Sequence, residues 1–335
     1  MKRVVFIKSL LAGMAALACG LAAAQDIKER SFKLALQNPK GHPLVTGAEK
    51  FAEIVAAKSG GKIKVNLFPG GVLGGDAQTV SALQGGTIEM TALNSGILAS
   101  QVKEFAVYDF PFMFATPAEA DAVVDGAFGR KLHGLLADKG IVGLAYWELG
   151  FRNITNSKRA VNKVEDLEGL KLRVIPNAIN VDWVKAVGAN PTPMAFPEVY
   201  PAMEAKAIDG QENPLSVIAA NKFFEVQKFL VLSNHQYNPQ SLIISKKVWD
   251  TLSAAEKKII QDAATESAVF ERKTTREAAA GFLDQLKKAG MTVTEFSPAE
   301  LNRMRDKMKP VIEKHGAPIA GTVAELNAEL AKLRK

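Results

Sequence analysis

The period of the apolar residues changes twice between Ser31 and Leu67, and that alternation restricts the chain to few folds. Phe32, Leu34 and Leu36 alternate with Ser31, Lys33 and Ala35, which predicts a strand. Gly41-His42-Pro43 follows, with Pro43 suited to the first turn of a helix. Leu44, Ala48, Phe51, Ala52 and Val55 then recur at helical spacing until Gly60-Gly61 stops the run. Ile63, Val65 and Leu67 return to a period of two. Two strands joined by a helix make a parallel pair, because a parallel connection needs a long crossover, and this predicts an α/β lobe.

The pattern continues. Pro69-Gly70-Gly71 turns the chain, Asp76 is placed to cap a helix through Leu83, and Ile88 to Leu93 reads as a strand. Gly140 to Leu149 reads as a buried strand, and Leu170 to Val174 and Ala207-Ile208 as shorter ones. Near the C-terminus, Ser253 with Glu256, Ser297 with Glu300 and Thr322 with Glu325 have the spacing of capping boxes. The first opens a helical pattern from Ala254 to about Ala289 that has no proline and only Gly281 as glycine. A helix of ~35 residues is ~50 Å long, more than one small lobe needs, and can brace two. No repeat or low-complexity linker separates the lobes. The expected architecture is therefore α/β and two-lobed, with interwoven lobes, central sheets flanked by helices, and a long helix bracing both. Residues 25–150 with 239–278 are assigned to one lobe, and 151–238 with 279–335 to the other.

The N-terminus bears on the compartment. Lys2, Arg3 and Lys8 surround the start of an apolar stretch, Leu10 to Ala24, that ends in Ala22-Ala23-Ala24. This has the composition of an export signal, residues 1–24, cleaved after Ala24, and the implied location is periplasmic. Cys19, between Ala18 and Gly20, also sits in a weak lipoprotein-like box, and lipidation there would tether the protein to a membrane. Cleavage after Ala24 leaves a chain without cysteine, which excludes disulfides and cysteine chemistry. It also leaves about 310 residues, beyond the ~250–300 at which one core stops growing, hence two lobes. The formal net charge is +7 and falls by three when the leader is lost. The basic residues are dispersed, so no nucleic-acid footprint is present, while the mild excess suits an anionic ligand.

Signatures of catalysis are missing. His42, His133, His235 and His315 have no metal-ligand spacing and read as surface or packing residues. There is no Gly-x-Ser-x-Gly elbow and no phosphate loop. Gly70-Gly71-Val72-Leu73-Gly74-Gly75 lacks dinucleotide spacing and reads as a tight turn. No catalytic residue, metal or cofactor is assigned.

Two arginines remain. Arg152 follows a buried strand, within Tyr146-Trp147-Glu148-Leu149-Gly150-Phe151-Arg152-Asn153, and Arg173 lies inside Leu170-Lys171-Leu172-Arg173-Val174-Ile175-Pro176. A guanidinium in an apolar strand is costly unless an anion pairs with it, and it grips a carboxylate through two parallel hydrogen bonds. Pairing with an internal acid satisfies it equally well. Asp209-Gly210-Gln211-Glu212-Asn213-Pro214 is rich in amide and acid groups and reads either as ligand-binding or as ordinary turn chemistry.

At these stretches the chain resembles the extracytoplasmic binding proteins of TRAP transporters, the DctP-like group. The resemblance rests on Phe151 to Lys158, Gly169 to Val174, Gly188 to Tyr200, Ile208 to Leu215, Phe223 to Phe229 with Asn234-His235, and Leu67-Phe68-Pro69 with Leu73 to Asp76. These run in family order over nearly the whole chain after the leader. The resemblance implies a monomeric receptor, not an enzyme, that closes on a small organic acid and delivers it to TRAP permease membrane subunits. Arg173 matches the main carboxylate-clamping arginine, Arg152 a second arginine, Asn213 the amide completing the clamp, and Phe196 an aromatic wall. Gln37, Asp76 and Asn94 match positions that contact the rest of the substrate in sialic-acid binders. An acid stands at the Asn94 position in those binders, which argues against sialic acid here. Trp147 and Glu148 are added as hydroxyl or ring contacts, with Trp147 equally suited to the core. The polar set points to a hydroxylated acid such as a uronate or aldonate, with a dicarboxylate or 2-oxo acid as the alternative. An ABC-type receptor, an exported sugar-acid enzyme and a structural envelope protein are rival readings. The first is disfavoured by the Asp209–Leu215 motif and the long helix, the second by the missing acid/base pair. A fully packed interface between the lobes would support the third.

Overall fold

A computed structural model describes residues 27–334. The leader and Cys19 lie outside the described residues. The strands are β1 (Arg30–Leu36), β2 (Ile63–Phe68), β3 (Met90–Asn94), β4 (Ile141–Asn156), β5 (Lys171–Val174), β6 (Asn190–Pro193), β7 (Gly210–Asn213), β8 (Phe229–Ser245) and β9 (Thr292–Glu295). The helices are α1 (Pro43–Lys58), α2 (Asp76–Gly85), α3 (Pro117–Val124), α4 (Ala127–Leu135), α5 (Ala178–Ala186), α6 (Val199–Glu204), α7 (Leu215–Ala220), α8 (Lys246–Trp249), α9 (Ala254–Lys288), α10 (Pro298–Gly316) and α11 (Ala320–Leu333).

Among the described residues one nine-stranded sheet runs through the molecule in the order β2-β1-β3-β8-β4-β7-β5-β6, with β9 also on β8. Two strands are far longer than the rest, β4 with 16 residues and β8 with 17, and they pair antiparallel from Ile141↔Ser245 to Asn156↔Phe229. The far half of β8, Gln240 to Ile244, carries β3, and its near half, Phe229 to Leu232, carries β9. One sheet thus serves two lobes, joined by strands that belong to both. β4 slips register between Glu148 and Gly150, and Gly150 takes φ +103 there, a conformation that glycine adopts without strain. That slip falls beside the expected lobe boundary.

The helices cover the sheet as the apolar spacing predicts. Leu44, Ala48, Phe51 and Val55 of α1 meet Ile260, Ala263, Ala264 and Ala268 of α9 in one apolar cluster. A Cβ on Gly47 would lie 2.4 Å from Glu271 Cγ, so glycine is what lets α1 approach α9 there. The far end of α9 places Leu286 in a different cluster, with Val199, Met203, Val217 and Phe223. The helix of 35 residues therefore packs on both lobes. Its start carries the full capping box expected, Glu256 N–H donating to Ser253 Oγ and Ser253 N–H to Glu256 Oε2. No described helix is long and apolar enough to cross a membrane.

Local expectations failed at three places. Ala207 and Ile208 are not strand; β7 begins at Gly210, so the predicted polar turn is a buried central strand. Thr322 caps nothing, because α11 starts at Ala320 and packs on α3 through a shared apolar cluster. The N-cap of α2 is Gly75 and not Asp76, whose side chain faces elsewhere.

Candidate functional site

The C-terminal ends of β3, β7 and β5 and the inner parts of β4 and β8 come together where the lobes join, and their polar residues face a cavity. Gln37, Asn38, Asp76, Asn94, Arg152, Arg173, Phe196, Asn213 and Gln240 line it together with Leu44, Leu149, Ile175 and Val217. At the mouth, the glycine-rich turn 70–75 of one lobe lies against residues 195–197 of the other. A Cβ on Gly71 would stand 2.8 Å from Pro197 Cγ, and one on Gly75 3.1 Å from Ala195 Cβ. The run read as a mere tight turn is therefore also a rim where the two lobes touch.

The two arginines differ in their partners. Arg152, 1% exposed, forms a short ion pair with Glu212 through Nε, donates from Nη2 to Glu212 Oε1 at 2.7 Å, and from Nη1 to Asn238 Oδ1 at 2.7 Å. Burial would raise the Glu212 carboxyl, but Arg152 and His235 beside it hold it down at about 2. His235 Nε2 lies 3.3 Å from Glu212 Oε2 without hydrogen-bond alignment, and burial lowers its own affinity for a proton. Below the pair sits Asp109, which accepts from Gln236 Nε2 at 2.9 Å, Asn238 Nδ2 at 3.3 Å and Asn177 Nδ2. Burial pushes it up to about 6 against the field of Arg152. Arg152 is thus already neutralised from within, the alternative that the sequence left open.

Arg173 has no such acid. It is 2% exposed and donates from Nε and Nη2 to a single backbone carbonyl, Met194 O, at 3.1 and 2.8 Å. No carboxylate lies within ion-pair distance of it among the described residues. Desolvation lowers it to about 10, with Arg152 adding to the effect, so it remains charged at neutral pH. Phe196 places its ring 5.8 Å from the guanidinium carbon. A buried, uncompensated guanidinium is unfavourable unless an anion completes it. Asn213 stands beside β4 at the Asn153 register and donates to Gln211 Oε1, which leaves its second amide hydrogen free.

Among the described residues the opposite wall carries no cation. Gln37 donates to Gly74 O at 3.0 Å, while its Oε1 is buried and unpartnered. Asn38 Oδ1, Asp76 Oδ1 and Gln240 Nε2 are likewise enclosed and without partners. Burial pushes Asp76 up to about 7 against the field of Arg173. Asn94 is largely committed, accepting from Gly96 N at 3.1 Å and donating to Asp109 Oδ1 at 3.4 Å.

Two expected contacts are corrected. Trp147 lies outside the cavity, in the core against Phe51 with ring centroids 6.4 Å apart, because alternation along β4 turns it to the α1–α9 side of the sheet. Glu148 is taken by Arg276 of α9, whose Nε donates to it at 2.7 Å, with Arg276 also bidentate on Asp121 at 2.8 Å. Sequence reasoning missed Asn38, Gln240, Glu212, Asn238 and Asp109. For part of this set a signal existed, since Gln236, Asn238 and Gln240 recur with a period of two inside a strand that must be buried.

Comparison with known proteins places this geometry. The family model "Bacterial extracellular solute-binding protein, family 7", DctP, matches residues 34–318, and the chain belongs to that family. It is 36% identical over 302 residues to the 2,3-diketo-L-gulonate-binding periplasmic protein YiaO of Escherichia coli, covering 88% of this chain and 90% of that one. It superposes on the sugar acid binding protein DctPAm of Advenella mimigardefordensis in complex with galactonate, with a TM-score of 0.90 and 42% identity, covering 92% and 99% of the chains. A TRAP periplasmic solute-binding protein of Ochrobactrum anthropi is 54% identical, with a TM-score of 0.82 over 92% and 97% of the chains, and has its C-terminus bound in the ligand-binding pocket.

Proposed function

We propose that this protein is the periplasmic receptor of a TRAP transporter and captures a hydroxylated monocarboxylate, an aldonate or uronate, for delivery to the permease membrane subunits. The observation that carries the reading is Arg173, a buried guanidinium that lines the interlobe cavity with hydrogen-bonding capacity to spare and no carboxylate within ion-pair distance among the described residues. A ligand carboxylate supplies the missing charge and takes the two parallel hydrogen bonds that arginine offers. The free amide hydrogen of Asn213 points to a third. Galactonate in one relative and diketogulonate in another support the same ligand class. Binding then needs no bond to break, and its free energy holds the lobes closed for a membrane partner to read. In this reading the leader exports the chain to the periplasm, and the receptor works there as a monomer. An intact mass from the native host reads whether it is cut after Ala24 or lipidated at Cys19.

The test is a thermal-shift and calorimetric screen of residues 25–335, refolded from denaturant, against aldonates, uronates, 2-oxo acids and dicarboxylates. A ligand at 100 times its dissociation constant adds about 2.7 kcal/mol of stability. An aldonate or uronate should raise the melting temperature in the parent and not in Arg173→Ala. A screen in which no acid binds, or in which Arg173→Ala binds as well as the parent, overturns the reading. Loss of the acid on incubation with the protein would replace a receptor by an enzyme.

A further inference from the structure

The wall facing Arg173 has a chemistry of its own. Three of its buried polar atoms are acceptors without donors, Gln37 Oε1, Asn38 Oδ1 and Asp76 Oδ1, and one is a donor without an acceptor, Gln240 Nε2. Among the described residues no lysine or arginine lines that side, and Asp76 is the one charged group there. The four come from three places: Gln37 and Asn38 from just past the end of β1, Asp76 from the first turn of α2, Gln240 from β8 opposite Asn94. The Gln37 amide is oriented by its bond to Gly74 O, so its oxygen is the atom left over.

A hydroxyl group both donates and accepts, so a polyhydroxy chain can satisfy the acceptors and the donor together. A carboxylate only accepts. Placed here it would leave the acceptors unpaired and bring a second negative charge against Asp76, while Arg173, the cation whose field reaches Asp76, is already engaged by the first carboxylate. We propose that this wall is a single-charge filter: Asn38 and Gln240 read ligand hydroxyls, and Asp76 excludes a second carboxylate, so the receptor takes monocarboxylic sugar acids and rejects their dicarboxylic counterparts. The inference rests on the assignment of Arg173 as the carboxylate anchor. Burial among these amides also keeps Asp76 from ionising as readily as an exposed acid, which makes its negative charge, once formed, poorly screened.

Two ligands that differ only at the far end isolate the effect. Galactonate ends in a primary alcohol, and galactarate ends in a second carboxylate on the same hydroxylated chain. Titration calorimetry at pH 8, where Asp76 is mostly ionised, should give galactonate at least 100-fold tighter binding than galactarate. Asp76→Asn should narrow that ratio at least tenfold, chiefly by improving galactarate. Gln240→Leu and Asn38→Leu should each weaken galactonate by about 10- to 100-fold, as expected where a buried polar group loses its partner. Circular dichroism and the ligand-free melting temperature identify any variant that has not folded, and Gln240→Met then serves as the alternative, since it removes the donor, adds no charge and keeps the length of the side chain. Equal affinity for the two acids in the parent, or a ratio unmoved by Asp76→Asn, overturns the filter while leaving an Arg173-dependent receptor intact. Failure of both acids to bind overturns the filter together with the sugar-acid reading beneath it.

Discussion

Arg152 on β4 and Arg173 on β5 flank β7, are equally buried and line one cavity, yet their surroundings are opposites. Around Arg152 the protein has supplied a full counter-charge, Glu212, and a shell of amides; around Arg173 it has supplied one carbonyl. A compensated charge serves the fold, whereas an uncompensated one is held for something that arrives. The largest expected effect separates them by stability. Arg152→Ala strands Glu212 as a buried charge and should cost about 3–5 kcal/mol in denaturant unfolding of the ligand-free protein. Arg173→Ala should stay within about 1 kcal/mol of the parent in the same measurement while losing ligand binding. Similar stability losses for the two variants would break the distinction.

The same contrast should appear against pH. Glu212 is held below its unfolded value near 4.5, so the stability it contributes is present above that pH and lost as the pH falls toward about 2. Asp76 is raised from 3.8 to about 7, so its contribution is full below pH 3.8 and disappears as the pH rises through about 7. Unfolding free energies of the ligand-free protein, taken as parent minus variant, should therefore shrink on the acid side for Glu212→Gln and on the neutral side for Asp76→Asn. Two differences that change over the same pH window would show that the two acids do not sit in distinct environments.

What the sequence could and could not disclose follows the same line. Alternation and helical spacing located β1, α1 and β2, because those signals depend on which face a residue turns to the core; β3 and β5 were legible as short apolar runs, and α9 from its capping box and the absence of proline after it. β7 was hidden, since Gly210-Gln211-Glu212-Asn213 has turn composition and becomes strand only because Arg152 pairs with Glu212 and Thr155 accepts from Gln211 in the interior. Glu148 was misread for the converse reason, because its partner Arg276 is 128 residues away on α9. The resemblance pointed to Arg173 and Arg152 alike. Only the three-dimensional arrangement separates the arginine that is paired internally from the one that is not.

The smallest effect concerns the cavity mouth, where the two walls meet. Gly75 has φ −70, so a side chain there introduces no backbone strain, and the nearest atom to its would-be Cβ belongs to Ala195 of the other lobe. A larger residue at this position opposes closure and leaves each lobe intact. Gly75→Val should weaken ligand binding roughly 10-fold, about 1.4 kcal/mol, with the change in the dissociation rate. Any loss of helix capping in α2 acts equally on open and closed forms and is read from the ligand-free melting temperature. Adding Ala195→Gly removes the opposing methyl and should restore much of the affinity. Gly85→Ala, whose Cβ would meet nothing within 4 Å, should leave binding unchanged. If Gly75→Val binds like the parent, the rim contact does not limit closure, and the difference between the two walls is then expressed only through the groups that touch the ligand.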